Sequence, residues 1–277
     1  MRWTLLAALA VAGCGDNRAG ISPDAAPPAD ALPPPIAKVC APGDPFSVLV
    51  LTRQTYWNHS SNPIAAAAIQ AMGAGWGWRV AVAGDPIVVT EDQLTRTDAI
   101  VFSVTSGNIL EDDQRALLER FFRSGGGYAG THSASFTEWD WKFYSQLVPV
   151  LFKTHPLAFQ GTMTIQAPGN PILADLPDPW VHFDEYYTFD RHPEELGVHV
   201  LLALDEAVAP NYPPEVAMGY HPITWTYQHD GIRAFYTGLG HTDDAYSEPL
   251  FLETLQHGIA WAGSARYQAR CGRAATP

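Results

Sequence analysis

The stretch Ser124-Gly-Gly-Gly-Tyr-Ala-Gly-Thr-His-Ser-Ala-Ser135 decides the fold. Three glycines close one segment, a short apolar run follows, and the run stops abruptly at Thr131-His132-Ser133. The preceding EDDQRALLERFFRSGGG, residues 111–127, has three acids in what would be the first turn of a helix and glycines at its end. Its apolar Ala116, Leu117, Leu118 and Phe121 recur at helical spacing, which predicts a helix lying on a sheet. A helix, a buried strand and a sharp turn therefore follow one another.

The same rhythm extends upstream. Phe46–Thr52, WRVAVA at 78–83 and Asp98–Val104 read as buried strands. Between them, Asn62 and Pro63 mark a helix start that Gly73 ends, and Thr90 with Gln93 has capping-box spacing. This alternation predicts an α/β fold: an open, mostly parallel sheet flanked by helices, with right-handed crossovers. Past Gln160 the pattern becomes strand-rich, with a hairpin-like join at His229-Asp230-Gly231-Ile232, so antiparallel strands are expected in the C-terminal half. EPLFLETLQHGIAWAG, residues 248–263, reads as a closing helix.

A chain of 277 residues with 47% hydrophobic content can bury one large core. Its formal charge of -13 argues against nucleic acid as a partner, because a phosphate-binding surface needs concentrated Lys and Arg.

The ends carry separate signals. Residues 1–13 hold one basic residue, Arg2, before about ten apolar residues, too few to span a bilayer, and read as an export signal. Val11-Ala12-Gly13-Cys14 resembles a bacterial lipobox, in which Cys14 is lipidated and anchors the chain to a membrane. Gly15 after that cysteine resembles an outer-membrane signal, and the alternative is an ordinary cleaved leader with an incidental cysteine. Residues 14–44, rich in Pro and Ala, are expected to form a disordered tether, with the domain at 45–264 and a tail at 265–277. Cys40 and Cys271 flank the domain, and in an oxidising compartment such a pair suggests a disulfide; two unpaired thiols are the alternative.

In an open α/β sheet, ligands bind beyond the carboxyl ends of the strands. Residues 52–59, 104–108 and 130–133 are therefore the first places to look. The turn at Gly130–Ala134 has the form of an elbow that aims its central side chain into a cleft. It is not the G-x-S-x-G of α/β-hydrolases, because the centre is His132 and the last residue Ala134. It cannot present a thiol, because no cysteine lies between residues 41 and 270. A histidine there suits proton transfer, oxyanion polarisation or metal ligation, against the alternative of a core histidine satisfied by backbone.

VLVLT, YWNHSS, GNILEDDQRALLERFFRSGGGYAGTHSAS, LFKTHP, FDEYYTF, GYHPITWTY and RAFYTGLGH together resemble the trehalose-utilisation, or ThuA-like, family over roughly residues 45–263. The resemblance implies a flavodoxin-like or class I glutamine amidotransferase-like fold without the amidotransferase nucleophile. It also implies a role in carbohydrate metabolism, a small carbohydrate ligand and a sugar dehydrogenase as a partner.

Ten histidines occur, and their positions separate them. His59, His132 and His241 follow strand-like runs and can converge at one sheet edge, where a divalent ion such as zinc would suit them if the loops meet. No HExxH or CxxC spacing supports that reading. Asp184 and Glu185 are neighbours, so in a strand they face opposite ways; Glu185 with Tyr187 on one face is the expected pair for acid/base work beside His132. Trp57, His59, His155, His221 and Trp225 are candidates for substrate binding, with aromatic faces for sugar rings. Asp243 and Asp244 either orient His241 or are loop acids, and His182, His192, His199, His229 and His257 are assigned to surface or packing. The function expected is hydrolysis or lyase chemistry on a sugar or oxidised sugar. The alternatives are a non-catalytic carbohydrate-binding module and an acyl hydrolase using Ser133.

Overall fold

A computed structural model describes residues 34–209 and 212–274. The expected export signal, Cys14 and most of the tether lie outside the described residues. Five short apolar runs make the parallel half of a nine-stranded sheet: β1 (Ser47–Leu51), β2 (Arg79–Ala83), β3 (Ala99–Ser103), β4 (Gly127–Thr131) and, from much later in the chain, β11 (Ile232–Thr237). Helices α1 (Ser61–Gly75), α2 (Glu91–Thr95) and α3 (Asp112–Arg123) supply the crossovers. The rest of the sheet is antiparallel: β6 (Phe159–Ile165), β7 (Trp180–Asp184), β9 (His199–Leu204) and β10 (His221–His229). The order is β2-β1-β3-β4-β11-β10-β9-β6-β7, while β5 (Phe152–Thr154) pairs with β8 (Thr188–Phe189) in a separate two-stranded sheet. Asp230 and Gly231 take φ of 48° and 80°, the double left-handed turn that a two-residue hairpin needs.

The sheet separates two hydrophobic clusters. In β1, Val48 and Val50 face the cluster covered by α1 and α4 (Pro249–Cys271), while Leu49 and Leu51 face the cluster under α3. Alternation along one strand feeds both cores, which is why the strand reads as continuously apolar.

Local chemistry moves several expected boundaries. The helix expected to begin at Pro63 with Asn62 as its N-cap begins at Ser61, and the Asn62 amide, instead of capping, donates to the carbonyls of Ser103 (2.9 Å) and Val104 (3.3 Å). The chain also belongs to the domain earlier and later than composition suggests. Ile36 is buried, and its N–H bonds to Ser124 Oγ at 2.8 Å. The region expected as a tail continues α4 to Cys271. There Arg266 donates to Ala37 O (3.1 Å) and Arg270 to Val39 O (3.1 Å), with Arg270 also paired to buried Asp98 at 2.8 Å. A Pro-rich segment with no apolar period is thus held by guanidinium groups on its carbonyls. The Cys40–Cys271 disulfide, Cα atoms 5.4 Å apart, closes the same junction.

Candidate functional site

Because β4, β11, β9 and β7 run in one direction and β10 and β6 in the other, the carboxyl ends of β1, β3, β4, β11 and β7 share one edge. Each end contributes to a single cleft: His59 after β1, Val104 after β3, His132 after β4, His241 after β11, and Glu185 with Tyr187 after β7.

The elbow is real and it is strained. His132 sits at φ 47°, a left-handed conformation that costs a non-glycine residue about 1–2 kcal/mol. The chain then enters a 3-10 turn, His132–Phe136, in place of an α-helix. The strain is held by bonds to His132 O from the Tyr236 hydroxyl (2.7 Å) and Ser135 Oγ (3.3 Å). Neighbouring Val104 is also left-handed, at φ 49°, unusual for a β-branched residue. Its carbonyl accepts from the Gln54 amide at 2.7 Å, and Gln54 Nε2 lies 3.3 Å from His59 Nδ1. Gly240, at φ 107°, turns the chain so that His241 faces the same space.

His132 is fully buried, and its Nδ1 is 3.0 Å from Gly238 O, a carbonyl that can only accept. Nδ1 therefore carries the proton and Nε2 presents its lone pair to the cleft. Around Nε2 lie the Tyr187 hydroxyl (2.7 Å), His241 Nδ1 (3.2 Å) and Glu185 Oε2 (3.6 Å). Glu185 also lies 3.3 Å from His241 Nδ1 and 2.9 Å from His155 Nδ1.

The electrostatics divide these groups. Burial holds His132 well below the ordinary imidazole value, and the neighbouring His59 adds to that. His59 is lowered to about 4, by burial first and then by His241. His155 is raised, chiefly by its hydrogen bond to Glu185. Burial pushes Tyr187 well above the usual phenol range, so it remains a donor. Two neutral imidazoles thus face a carboxylate and a protonated phenol.

One ligand atom from each of His59, His132 and His241 lies within 4.8 Å of the others. A tetrahedral zinc with bonds of 2.0–2.1 Å places its ligands roughly 3.3 Å apart, close to the 3.2 Å between His132 and His241. Metal binding needs imidazoles in the neutral form, which burial favours at His59 and His132. The donor set fits a divalent ion.

Other expected site residues stand elsewhere. Trp57 is half exposed on the loop that leads to His59, fixed by Ser106 Oγ at its N–H (2.9 Å) and its carbonyl (2.7 Å). Tyr56 and Trp139, also exposed, extend this aromatic surface. His221 and Trp225, expected to contact substrate, both lie fully buried in β10. His221 has its ring nitrogens occupied by Glu206 (2.7 Å) and by Tyr187 O (2.8 Å), while Trp225 packs against Phe189 and Tyr236. Ser133 Oγ is buried without a hydrogen-bond partner among the described residues, whereas His132 is surrounded by polar partners. Asp243 accepts from Ser60 Oγ at 2.8 Å and fixes the α1 loop. Sequence reasoning passed over Asp184, which is fully buried and accepts from the N–H groups of Gly240 (2.7 Å) and His241 (3.0 Å). The rule that adjacent carboxylates in a strand face opposite ways favoured Glu185 for the site and gave no hint of what Asp184 would meet.

A family model described as ThuA, trehalose utilisation, matches residues 47–262. Among solved structures, a ThuA-like protein from Bacteroides uniformis is 20% identical with a TM-score of 0.65, covering 80% of this chain and 93% of its own. Another from Parabacteroides merdae is 17% identical with a TM-score of 0.64, covering 84% and 92%. A cold-adapted β-galactosidase from Rahnella sp. R3 shares the fold at 12% identity and a TM-score of 0.52, over 78% of this chain but 31% of its own. No curated protein matches the chain.

Proposed function

The chain belongs to the ThuA, or trehalose-utilisation, family, and from that premise we propose that it is an exported protein that hydrolyses or eliminates a bond in a sugar or oxidised sugar derivative at the histidine cleft. The observation that carries this is the convergence of His59, His132 and His241 within 4.8 Å, with Glu185 Oε2 beside two of them. A divalent ion held by the three histidines would supply Lewis acidity toward a sugar oxygen. Glu185 is placed to take a proton, from water in hydrolysis or from a carbon next to a carbonyl in elimination. Tyr187, kept protonated by burial, donates to His132 Nε2 at 2.7 Å; with that lone pair turned to a bound ion, its hydroxyl would be free to donate toward developing negative charge. Trp57, Tyr56 and Trp139 offer apolar faces on which a sugar ring can stack. His155, bonded to Glu185, holds that carboxylate from the open side.

Export, lipidation at Cys14 and association with a sugar dehydrogenase belong to the same proposal. The disulfide supports an oxidising compartment. The test is metal analysis with turnover assays over oxidised and unoxidised disaccharides. One equivalent of a divalent ion, lost in His132→Ala and His241→Ala together with turnover, is expected. No metal, no turnover, and sugar binding unchanged by His132→Ala would instead support a non-catalytic binding module.

A further inference from the structure

Behind the cleft, polar side chains form one continuous line. Trp180, His182 and Asp184 alternate along β7 and so share its inward face, and all three are buried. The Trp180 indole N–H donates to Glu248 Oε1 at 3.0 Å, and Glu248 Oε2 meets His182 Nδ1. His182 Nε2 lies 3.2 Å from Asp184 Oδ2. Asp184 then accepts from three backbone N–H groups: Glu185 at 2.8 Å, Gly240 at 2.7 Å and His241 at 3.0 Å. Glu248 is the residue from which α4 starts, so the line runs from a helix terminus through β7 to the two loops that bear Glu185 and His241.

Both ring nitrogens of His182 face carboxylates, so both must donate, and only an imidazolium does that. Its pKa reflects the balance: burial opposes the charge, but hydrogen bonds to Asp184 and Glu248 outweigh it and raise the group to about 9. Asp184, itself fully buried, meets this ring at Oδ2 and backbone N–H groups at both of its oxygens. Both oxygens of Asp184 serve as acceptors, as the Glu185, Gly240 and His241 amides require. A neutral side chain of the same shape cannot, because its second position would be a donor facing a donor.

We propose that the His182–Asp184 ion pair is a positioning unit for the cleft, fixing the backbone of His241 and Glu185 so that their side chains meet His132. The inference rests on the reading of the three histidines as a metal site. Asp184 and His182 touch neither the ligand atoms nor the substrate space. Their effect passes through backbone, as outer-shell partners of metal ligands act elsewhere, where their loss costs about 10–100-fold in metal affinity.

The experiment measures Zn2+ affinity of the whole chain by competition with a chromophoric chelator, and the visible absorption of the Co2+-loaded chain. It compares wild type, Asp184→Asn, His182→Gln and Glu248→Gln. Leu255→Ala, in the buried face of α4, is the control for simple loss of stability. Asp184→Asn and His182→Gln are expected to weaken zinc about 10–100-fold and to change the cobalt spectrum, whereas Leu255→Ala lowers the melting temperature and leaves both unchanged. Should Asp184→Asn fail to fold, His182→Gln and Glu248→Gln carry the comparison. Wild-type zinc affinity and cobalt spectra in folded variants would overturn the proposal. A wild-type chain that binds no zinc would instead overturn the metal reading beneath it.

Discussion

Removing the Cys40–Cys271 bond, by reduction or by the double substitution Cys40→Ser/Cys271→Ser, is expected to destabilise the domain without changing its native structure. The bond closes a loop with a sequence separation of 231 residues. The chain-entropy relation gives about 5.5 kcal/mol for a loop of that length, released when the unfolded chain is no longer cross-linked. The native junction does not depend on the bond alone. Arg270 still binds Asp98, Val39 O and Pro45 O, and Arg266 still binds Ala37 O, Leu94 O, Thr97 O and Ser124 O. Those contacts keep residues 36–45 on the domain after reduction, so the cost falls on the unfolded ensemble. At about 2–4 °C per kcal/mol for a domain of this size, the melting temperature should drop by roughly 10–20 °C. Thermal and urea unfolding, followed by far- and near-UV circular dichroism with and without reductant, measure this. Equal stability in both redox states would refute the reasoning. A large change in the native near-UV spectrum would refute its second half, by showing that the bond and not the arginines holds the strap.

Two further outcomes are expected. His182 is raised from 6.5 to about 9, so the folded state holds its proton more tightly than the unfolded chain, a difference of about 3 kcal/mol. That stability is fully present below pH 6.5 and is lost as pH rises through 9, so urea midpoints of wild type should fall across this window more steeply than those of His182→Gln; parallel profiles would exclude the ion pair. At the other end of the chain, Cys14→Ser should release the protein from membranes into the soluble fraction on cell fractionation, and retention in the membrane fraction would count against the lipid anchor.

What could be read in the sequence was governed by how local the cause is. The parallel half of the sheet was legible because each strand is a short apolar run bounded by its own helix signals, as Phe46–Thr52 and Asp98–Val104 are. The order of the strands within the sheet was not, because β11 enters between β4 and β10 through contacts more than 100 residues away in sequence. The meeting of His59, His132 and His241 followed from a rule about strand ends that needs only the strands. The burial of His221 and Trp225 was not legible, because the alternation of HPITWTY does not say that β10 lies in the middle of a sheet covered on both faces. Residues 34–44 read as tether because proline suppresses any apolar period, and the arginines that capture their carbonyls lie in α4. The pairing of His182 with Asp184 and Glu248 was not legible, since Glu248 reaches it from the start of a helix 66 residues on.

The left-handed backbone at His132 separates two explanations of the elbow. If the turn served only to end β4, glycine would fill it at no steric cost, and glycines already stand at 125, 126, 127 and 130. A histidine held there against about 1–2 kcal/mol of strain, with Tyr236 and Ser135 on its carbonyl and Gly238 on its Nδ1, is strain retained where a side chain must point. The direction it points is set by the strand and the turn, which explains how this backbone can present different chemistry at the same place. With a thiol the position would offer a nucleophile. With an imidazole whose Nδ1 proton is taken by a carbonyl, it offers a single lone pair at Nε2, and Tyr187, His241 and Glu185 are gathered around that lone pair.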